Sequence, residues 1–152
     1  MSYKNLFPDD TSIHYPRRRI TRSLVRFVCR GLLPLLTDIC LDGIENIPQK
    51  GPVILAGNHV AVMEVVLMVV YSPRIVELIG AGDIPIDPKF AWIANLYGFI
   101  PIKRGTIDRN AIKLAQSILE QGGTLGVFPE GGIWEPELGQ MRQGVALLSV
   151  SG

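Results

Sequence analysis

The chain has 152 residues, of which 47% are hydrophobic and 19% are charged, so a single domain with a buried core is expected. Its mean hydropathy is positive, +0.27, so the chain is more apolar than most proteins with a soluble surface need to be. This suggests an apolar partner outside the core. Cys29 and Cys40 are the only cysteines. Without a CxxC motif or a nearby histidine pair, they indicate neither a zinc site nor a disulfide framework, but free thiols in a cytosolic compartment.

The charge is distributed unevenly along the chain although the net charge is only +1. Residues 1–37 contain seven basic and two acidic residues, whereas the remainder contains eight basic and twelve acidic residues. A basic first quarter suggests an anionic partner surface, either phospholipid or nucleic acid. The high apolar content favours phospholipid, and no nucleic-acid partner is expected.

The first predicted element is a basic amphipathic helix over residues 20–36. Arg22, Arg26 and Arg30 recur every four residues and share one face, while leucine, valine and phenylalanine occupy most of the rest. We expect an interfacial helix whose arginines reach lipid phosphates while its apolar face enters the acyl boundary. The alternative is a helix that packs its apolar side on the domain and leaves its arginines solvated.

No membrane-spanning helix is expected, because the longest stretch without a charged residue has thirteen residues and a span needs about twenty. The N-terminus lacks the features of a signal peptide. The expected location is therefore peripheral, on the cytoplasmic face of a membrane. We divide the chain into an N-terminal arm with the interfacial helix, residues 1–37, and an α/β domain, residues 38–152.

Strand-like and helix-like segments alternate through that domain. The pattern predicts strands at 52–56, 75–79, 99–102 and 124–128, and helices at 62–71, 88–96, 107–121 and 142–150. Continuously apolar strands that alternate with helices indicate a mostly parallel sheet with helices on both faces. Ligands of such sheets gather beyond the carboxyl ends of the strands.

A histidine follows the first of these strands, in the sequence Gly57-Asn58-His59, with Glu64 five residues further on. Imidazole titrates near neutrality, and a carboxylate can fix its tautomer, so the pair is suited to base catalysis. Residues five apart in a continuous helix lie about 140° apart. A contact therefore requires His59 on the loop and Glu64 in the first turns of the helix. The alternative for a lone histidine on a loop is a merely structural or exposed residue.

Two further polar blocks follow strands. Lys103 and Arg104 directly follow the apolar run 98–102. Either cation could bind a phosphate or simply face solvent. Glu130 and Gly131 lie in the block Phe-Pro-Glu-Gly after the last strand, which suits a site wall or an ordinary turn. Because all three blocks follow parallel strands, they could converge at one edge of the sheet.

The order Asn-His-x4-acid, Gly-x-Ile-x-Ile-x-Arg and Phe-Pro-Glu-Gly, over residues 41–144, resembles the glycerolipid acyltransferases of the lysophosphatidic acid acyltransferase type. The resemblance implies that His59 takes a proton from an acceptor hydroxyl and that Glu64 orients the imidazole. It assigns the acceptor's phosphate to Arg104, with Lys103 beside it, and acceptor positioning to Glu130 and Gly131. Acyl-CoA or acyl-carrier protein would be the co-substrate, with no metal and no other cofactor. The acceptor would be a glycerol phosphate or a lysophospholipid, as in phospholipid biosynthesis.

The chain departs from the family pattern at three places. Glu64 stands where the family usually has Asp, and Gly132 and Ile133 stand where it usually has a Thr-Arg or Ser-Arg pair. The family's fourth block, an apolar strand with a proline, would follow Gly152, so we expect the domain to be incomplete at its C-terminus. A catalytically impaired, membrane-associated lipid-binding homologue is the alternative to an enzyme.

Overall fold

The computed structural model describes residues 13–58, 61–81, 92, 95–102 and 108–129. Their helices and strands follow the predicted alternation closely. The elements are α1 (Arg19–Leu36), a 3₁₀ turn (Ile44–Asn46), β1 (Val53–Ala56), α2 (Met63–Tyr71), β2 (Val76–Ala81), β3 (Ile100–Ile102), α3 (Arg109–Glu120) and β4 (Thr124–Val127). Of the predicted helix 88–96, only residues 92, 95 and 96 are described, and they are helical. The predicted helix 142–150 lies outside the described residues.

The four described strands form one parallel sheet in the order β1-β4-β2-β3. Val53 pairs with Thr124 and Ala56 with Val127, while Val76 also pairs with Thr124, so β4 lies between β1 and β2. Parallel strands that follow one another in the chain require a crossover connection; α2 connects β1 to β2, and α3 connects β3 to β4. The predicted α/β class with a parallel sheet and flanking helices is confirmed.

Helices cover both faces of this sheet because its strands are apolar on both sides. On one face α3 packs against the sheet, and its buried residues Ala111, Ala115, Ile118 and Leu119 form a cluster with Ile100 and Leu125 of the strands. On the other face α1 and α2 contribute to a second cluster, whose buried members are Val69, Val70, Val76, Leu78 and Tyr97. The chain thus builds a three-layer unit, and all four strands run toward the same edge.

The ends of α3 follow from local sequence. Asp108 is the N-cap, and its Oδ1 accepts hydrogen bonds from the amides of Asn110 and Ala111, both at 3.2 Å. Beyond the helix, Gly122 adopts a φ of +69°, which a glycine tolerates best. The chain then enters β4 at Thr124.

Two of the three arginines on this face of α1 point into the protein, so the predicted exposure to lipid phosphates or solvent is wrong for Arg22 and Arg26, whereas Arg30 is exposed. Arg22 and Arg26 are buried, and Arg26 donates to the carbonyl of Ser72. Arg30 donates to the carbonyls of Val70, at 2.8 Å, and Ser72, at 3.1 Å. The C-terminal carbonyls of a helix carry partial negative charge, and α2 presents them to these guanidinium groups.

Glu77, in β2, is the second reason that α1 turns its arginines inward. Its carboxylate is fully buried and forms a two-pronged pair with the fully buried Arg22. Arg17 adds a bond from Nε to Oε2 at 2.9 Å. Arg22 also donates from Nε to the carbonyl of Tyr97, at 2.9 Å, and lies 4.6 Å above that ring. A buried carboxylate needs such partners, since an unpaired one is costly.

This pairing sets the protonation of the cluster. Burial alone raises the pKa of Glu77, but the hydrogen bonds and charges of Arg22 and Arg17 outweigh it and hold that pKa below its usual value. Burial raises the pKa of Tyr97 to about 12, against the opposing charge of Arg22. Glu77 is therefore ionised at neutral pH and ties α1 to the sheet.

The opposite face of α1 is an exposed apolar stripe. It consists of Ile20, Leu24, Phe27, Val28, Leu32, Leu35 and Leu36. Arg19 and Arg30 lie eleven residues apart, hence about 20° apart around the helix, and line one flank of the stripe. Within the described part of the chain, no helix is long and apolar enough to cross a bilayer, α1 included.

Candidate active site

The carboxyl ends of the strands lie along one edge of the sheet, as the parallel pairing requires. Ala56 ends β1 beside Val127 of β4, and Ala81 of β2 lies beside Ile102 of β3. Predicted site residues follow three of these strand ends in the sequence: His59 after β1, Lys103 and Arg104 after β3, and Glu130 and Gly131 after β4. Those five residues lie outside the described part of the chain, so their roles remain predictions.

The strand order determines how these blocks are spaced. β1 and β4 are neighbours, so the chain leads into the histidine block and the Phe-Pro-Glu-Gly block from adjacent strands. β3 lies three strand spacings from β1, roughly 14 Å away at about 4.8 Å per spacing. Lys103 and Arg104 therefore follow a strand that lies at the other end of the same sheet edge from β1.

The turn after β1 starts from a well-defined position. The amide of Gly57 donates to the carbonyl of Val127 at 3.1 Å, which extends the β1–β4 pairing one residue beyond β1. Asn58 is exposed and is the next described residue. The chain thus leaves the sheet at Asn58, immediately before His59.

Glu64 lies in the first turn of α2, half-buried. Its Oε2 accepts a hydrogen bond from the amide of Ala61 at 2.8 Å. The N-cap residue, Val62, offers no side-chain acceptor to the first amides of the helix. Glu64 compensates in part, in the manner of a capping box, and its negative charge is favourable at a helix N-terminus.

This hydrogen bond places the Glu64 carboxylate against the chain two residues after His59. A carboxylate held there can accept a second hydrogen bond from a nearby imidazole, because a carboxylate has about four acceptor positions. The pairing of His59 with Glu64 is still a prediction. The described geometry puts the acidic partner at the carboxyl edge of the sheet, where that pairing needs it.

A strongly charged cluster among the described residues lies elsewhere. Glu77 is the second residue of β2, and Arg22 and Arg17 approach it from α1 and the segment before it. This position is near the amino-terminal edge of the sheet, opposite the strand ends that precede the predicted site residues. We therefore assign the cluster to structure and not to catalysis.

Sequence reasoning missed two residues with a structural role. One is Glu77, near the opposite edge of the sheet, whose signal was a single carboxylate between apolar residues of a buried strand. The other is Met68 of α2, which packs against Gly57 and Gly126 at the base of the turn. Its signal was the four-residue spacing from Glu64, which places both on one helical face.

A family model described as Acyltransferase matches residues 38–151. The chain belongs to this acyltransferase family. The resemblance to the glycerolipid acyltransferases seen in the sequence is thereby confirmed.

A curated relative of this acyltransferase-family chain is the 1-acyl-sn-glycerol-3-phosphate acyltransferase of Borreliella burgdorferi. The two are 28% identical over 95 residues, which is 61% of this chain and 38% of the relative. The chain therefore spans well under half of that relative's length. No solved structure gives a significant match.

Proposed function

We propose that the protein transfers a fatty acyl group from a thioester donor, acyl-CoA or acyl-carrier protein, to a hydroxyl of a glycerol phosphate or lysophospholipid. The observation that carries the proposal is the family match over residues 38–151, which contains all three polar blocks. Each block follows a strand, and the three strands end at one edge of a parallel sheet. Ligands of parallel sheets bind at that edge.

The chemistry that these residues suit is direct attack by the acceptor alcohol. His59 takes the hydroxyl proton as the oxygen attacks the thioester carbonyl, the carbon–sulfur bond breaks, and the thiol leaves with a proton. Glu64 orients the imidazole and stabilises its charged form. Arg104, with Lys103, binds the acceptor's phosphate, and Glu130 and Gly131 position the acceptor. No serine or cysteine nucleophile is needed.

The extra methylene of Glu64, relative to the family's usual Asp, has a place in this scheme. The longer side chain starts in the first turn of α2 and returns to the amide of Ala61. The carboxylate is thus held at Ala61, two residues after His59 in the chain. This geometry favours a working pair over an impaired one.

We also propose that the apolar stripe of α1 lies on a bilayer, at the cytoplasmic face of a membrane. Its residues are exposed leucine, isoleucine, valine and phenylalanine side chains, and the exposed Arg19 flanks them. Apolar side chains enter the acyl boundary while flanking arginines meet anionic headgroups. A lipid surface satisfies both, and it would also supply a lysophospholipid acceptor.

A panel of donors and acceptors tests the proposal. The chain, and any longer reading frame that contains it, is incubated with labelled acyl-CoA or acyl-carrier protein and with glycerol 3-phosphate or lysophosphatidate in vesicles. We expect ester formation with at least one pair. Saturable binding of lysophosphatidate without turnover by any donor would instead support the lipid-binding alternative, which the Gly132 and Ile133 departures favour.

A further inference from the structure

Met68 lies one helical turn after Glu64 and on the same face of α2, against the sheet. Two glycines lie directly beneath its thioether. A Cβ added at Gly126 of β4 would be 2.8 Å from Sδ of Met68, and a Cβ added at Gly57 would be 3.0 Å from its Cε. The distance at Gly126 is shorter than real Cβ contacts, and the distance at Gly57 is tighter than most of them, so the Met68 side chain would have to move in either alanine variant.

These two glycines are required by space and not by backbone conformation. Among the described residues, the glycines with positive φ are Gly43, Gly51, Gly98 and Gly122, so Gly57 and Gly126 are outside that group. The space around them is closed on other sides too. Phe128 would be 3.1 Å from the added Cβ at Gly57, and Val76 would be 2.7 Å from that at Gly126.

The glycines therefore allow α2 to approach the sheet more closely than side chains would. This approach is made at the carboxyl end of β1, since Gly57 directly follows Ala56 and bonds to the carbonyl of Val127. From Gly57 the chain reaches His59 in two residues, and from Met68 the helix reaches Glu64 in one turn. The contact of Met68 with the glycines thus holds together the two segments that carry His59 and Glu64, the predicted catalytic pair.

We infer that Met68, Gly57 and Gly126 form a positioning seat, which sets the separation between α2 and the end of β1 at Gly57, from which the chain continues to His59. The inference rests on the proposed function. The seat touches no substrate, and it acts through Glu64 by holding the carboxylate at the reach that His59 requires. A partly buried methionine that only filled volume beside the core would have no such effect on the reaction.

The test compares Gly57→Ala, Met68→Ala, the double variant, and Val69→Ala as the matched control. Val69 is the next residue of α2, is buried, and packs in the same core cluster, but it is not among the nearest atoms to a Cβ added at either glycine. At Gly57 the added Cβ requires its neighbours to move by a few tenths of an ångström. A movement of that size passed on to Glu64 should lower kcat by roughly three- to tenfold, since 1 Å costs about 100-fold.

We expect Gly57→Ala to lower kcat with the acceptor KM unchanged, and Met68→Ala in that background to restore most of the loss by making room. The acid limb of the pH–rate profile should also move to lower pH in Gly57→Ala. A carboxylate further from the imidazole stabilises its charged form less and lowers its pKa. Val69→Ala should lower Tm and leave kcat and the acid limb as in the wild type.

A second measurement tests the seat independently of catalytic activity. Hydrogen exchange of the Ala61 amide reports the bond to Glu64, and it should quicken in Gly57→Ala and slow again in the double variant. Acyl transfer absent from the wild type would refute the proposed function, while this exchange pattern still tests the contact. Any of three results would overturn the seat. Gly57→Ala could keep the wild-type kcat and Ala61 exchange, Met68→Ala could fail to rescue it, or Val69→Ala could lose as much kcat.

Discussion

The apolar stripe of α1 leads to a specific prediction about membrane binding. Replacing Leu24, Phe27 and Leu35 by Ser removes three stripe side chains that are 61%, 77% and 78% exposed. Because these side chains make few contacts within the protein, the triple variant should keep the wild-type Tm, as surface substitutions usually stay within about 0.5 kcal/mol of neutral.

The expected loss of membrane affinity follows from the exposed area. Burying a whole Leu or Phe side chain contributes roughly 1.5–3 kcal/mol, so a side chain that is about 70% exposed has roughly 1–2 kcal/mol left to gain. Three of them together give roughly 3–6 kcal/mol, or about 10²- to 10⁴-fold in vesicle partitioning.

Flotation with vesicles of anionic and zwitterionic lipids measures this partitioning, and circular dichroism confirms the fold of each variant. Arg19→Gln is the matched variant on the flank, and it should cost about 1 kcal/mol on anionic vesicles only, at low salt. Arg22→Gln should instead destabilise the fold, because it leaves Glu77 without its main partner. Equal partitioning of the triple serine variant and the wild type would refute the reasoning.

The remaining predictions concern the buried cluster and the site. In the folded protein the pKa of Glu77 lies below its usual value of 4.5. The stability that ionised Glu77 contributes to the fold is therefore present above that pH and is lost as pH falls toward the folded pKa. Glu77→Gln should lower the free energy of unfolding by about 3–5 kcal/mol at pH 7. Measured with urea, this free energy should then fall less steeply at acid pH than in the wild type; an unchanged pH dependence would contradict the pairing. Arg104→Ala should raise the acceptor KM more than it lowers kcat, since a phosphate grip contributes binding shared by ground and transition states; a pure kcat effect would contradict that role. Glu64→Asp should lower kcat, because the shorter side chain falls short of the Ala61 amide; unchanged turnover would show that this bond is dispensable.

Much of the fold was predictable from local sequence. Short apolar segments bounded by glycine and proline gave β1 and β4 to within a residue or two, and Asp108 and Gly122 mark the ends of α3. The order of polar blocks after strands pointed to one edge of the sheet, and the described strand ends lie there.

The orientation of α1 was not predictable in the same way. Helical periodicity tells which residues share a face, but not which face packs on the protein. The partner of Arg22 is Glu77, 55 residues away, and the partners of Arg26 and Arg30 are backbone carbonyls, which carry no sequence signal. The contact of Met68 with Gly57 and Gly126 depends on the β1–β4 pairing, which only the folded sheet defines.

The central claim is that His59 acts as the general base for acyl transfer to a glycerol-phosphate acceptor. Its most direct test is the initial rate of ester formation from a labelled thioester by the wild type and by His59→Ala, with the fold of both checked by circular dichroism. General base catalysis contributes about 10²- to 10⁴-fold, so the variant should lose at least about 100-fold in kcat. A folded His59→Ala protein that transfers the acyl group at the wild-type rate would contradict the account.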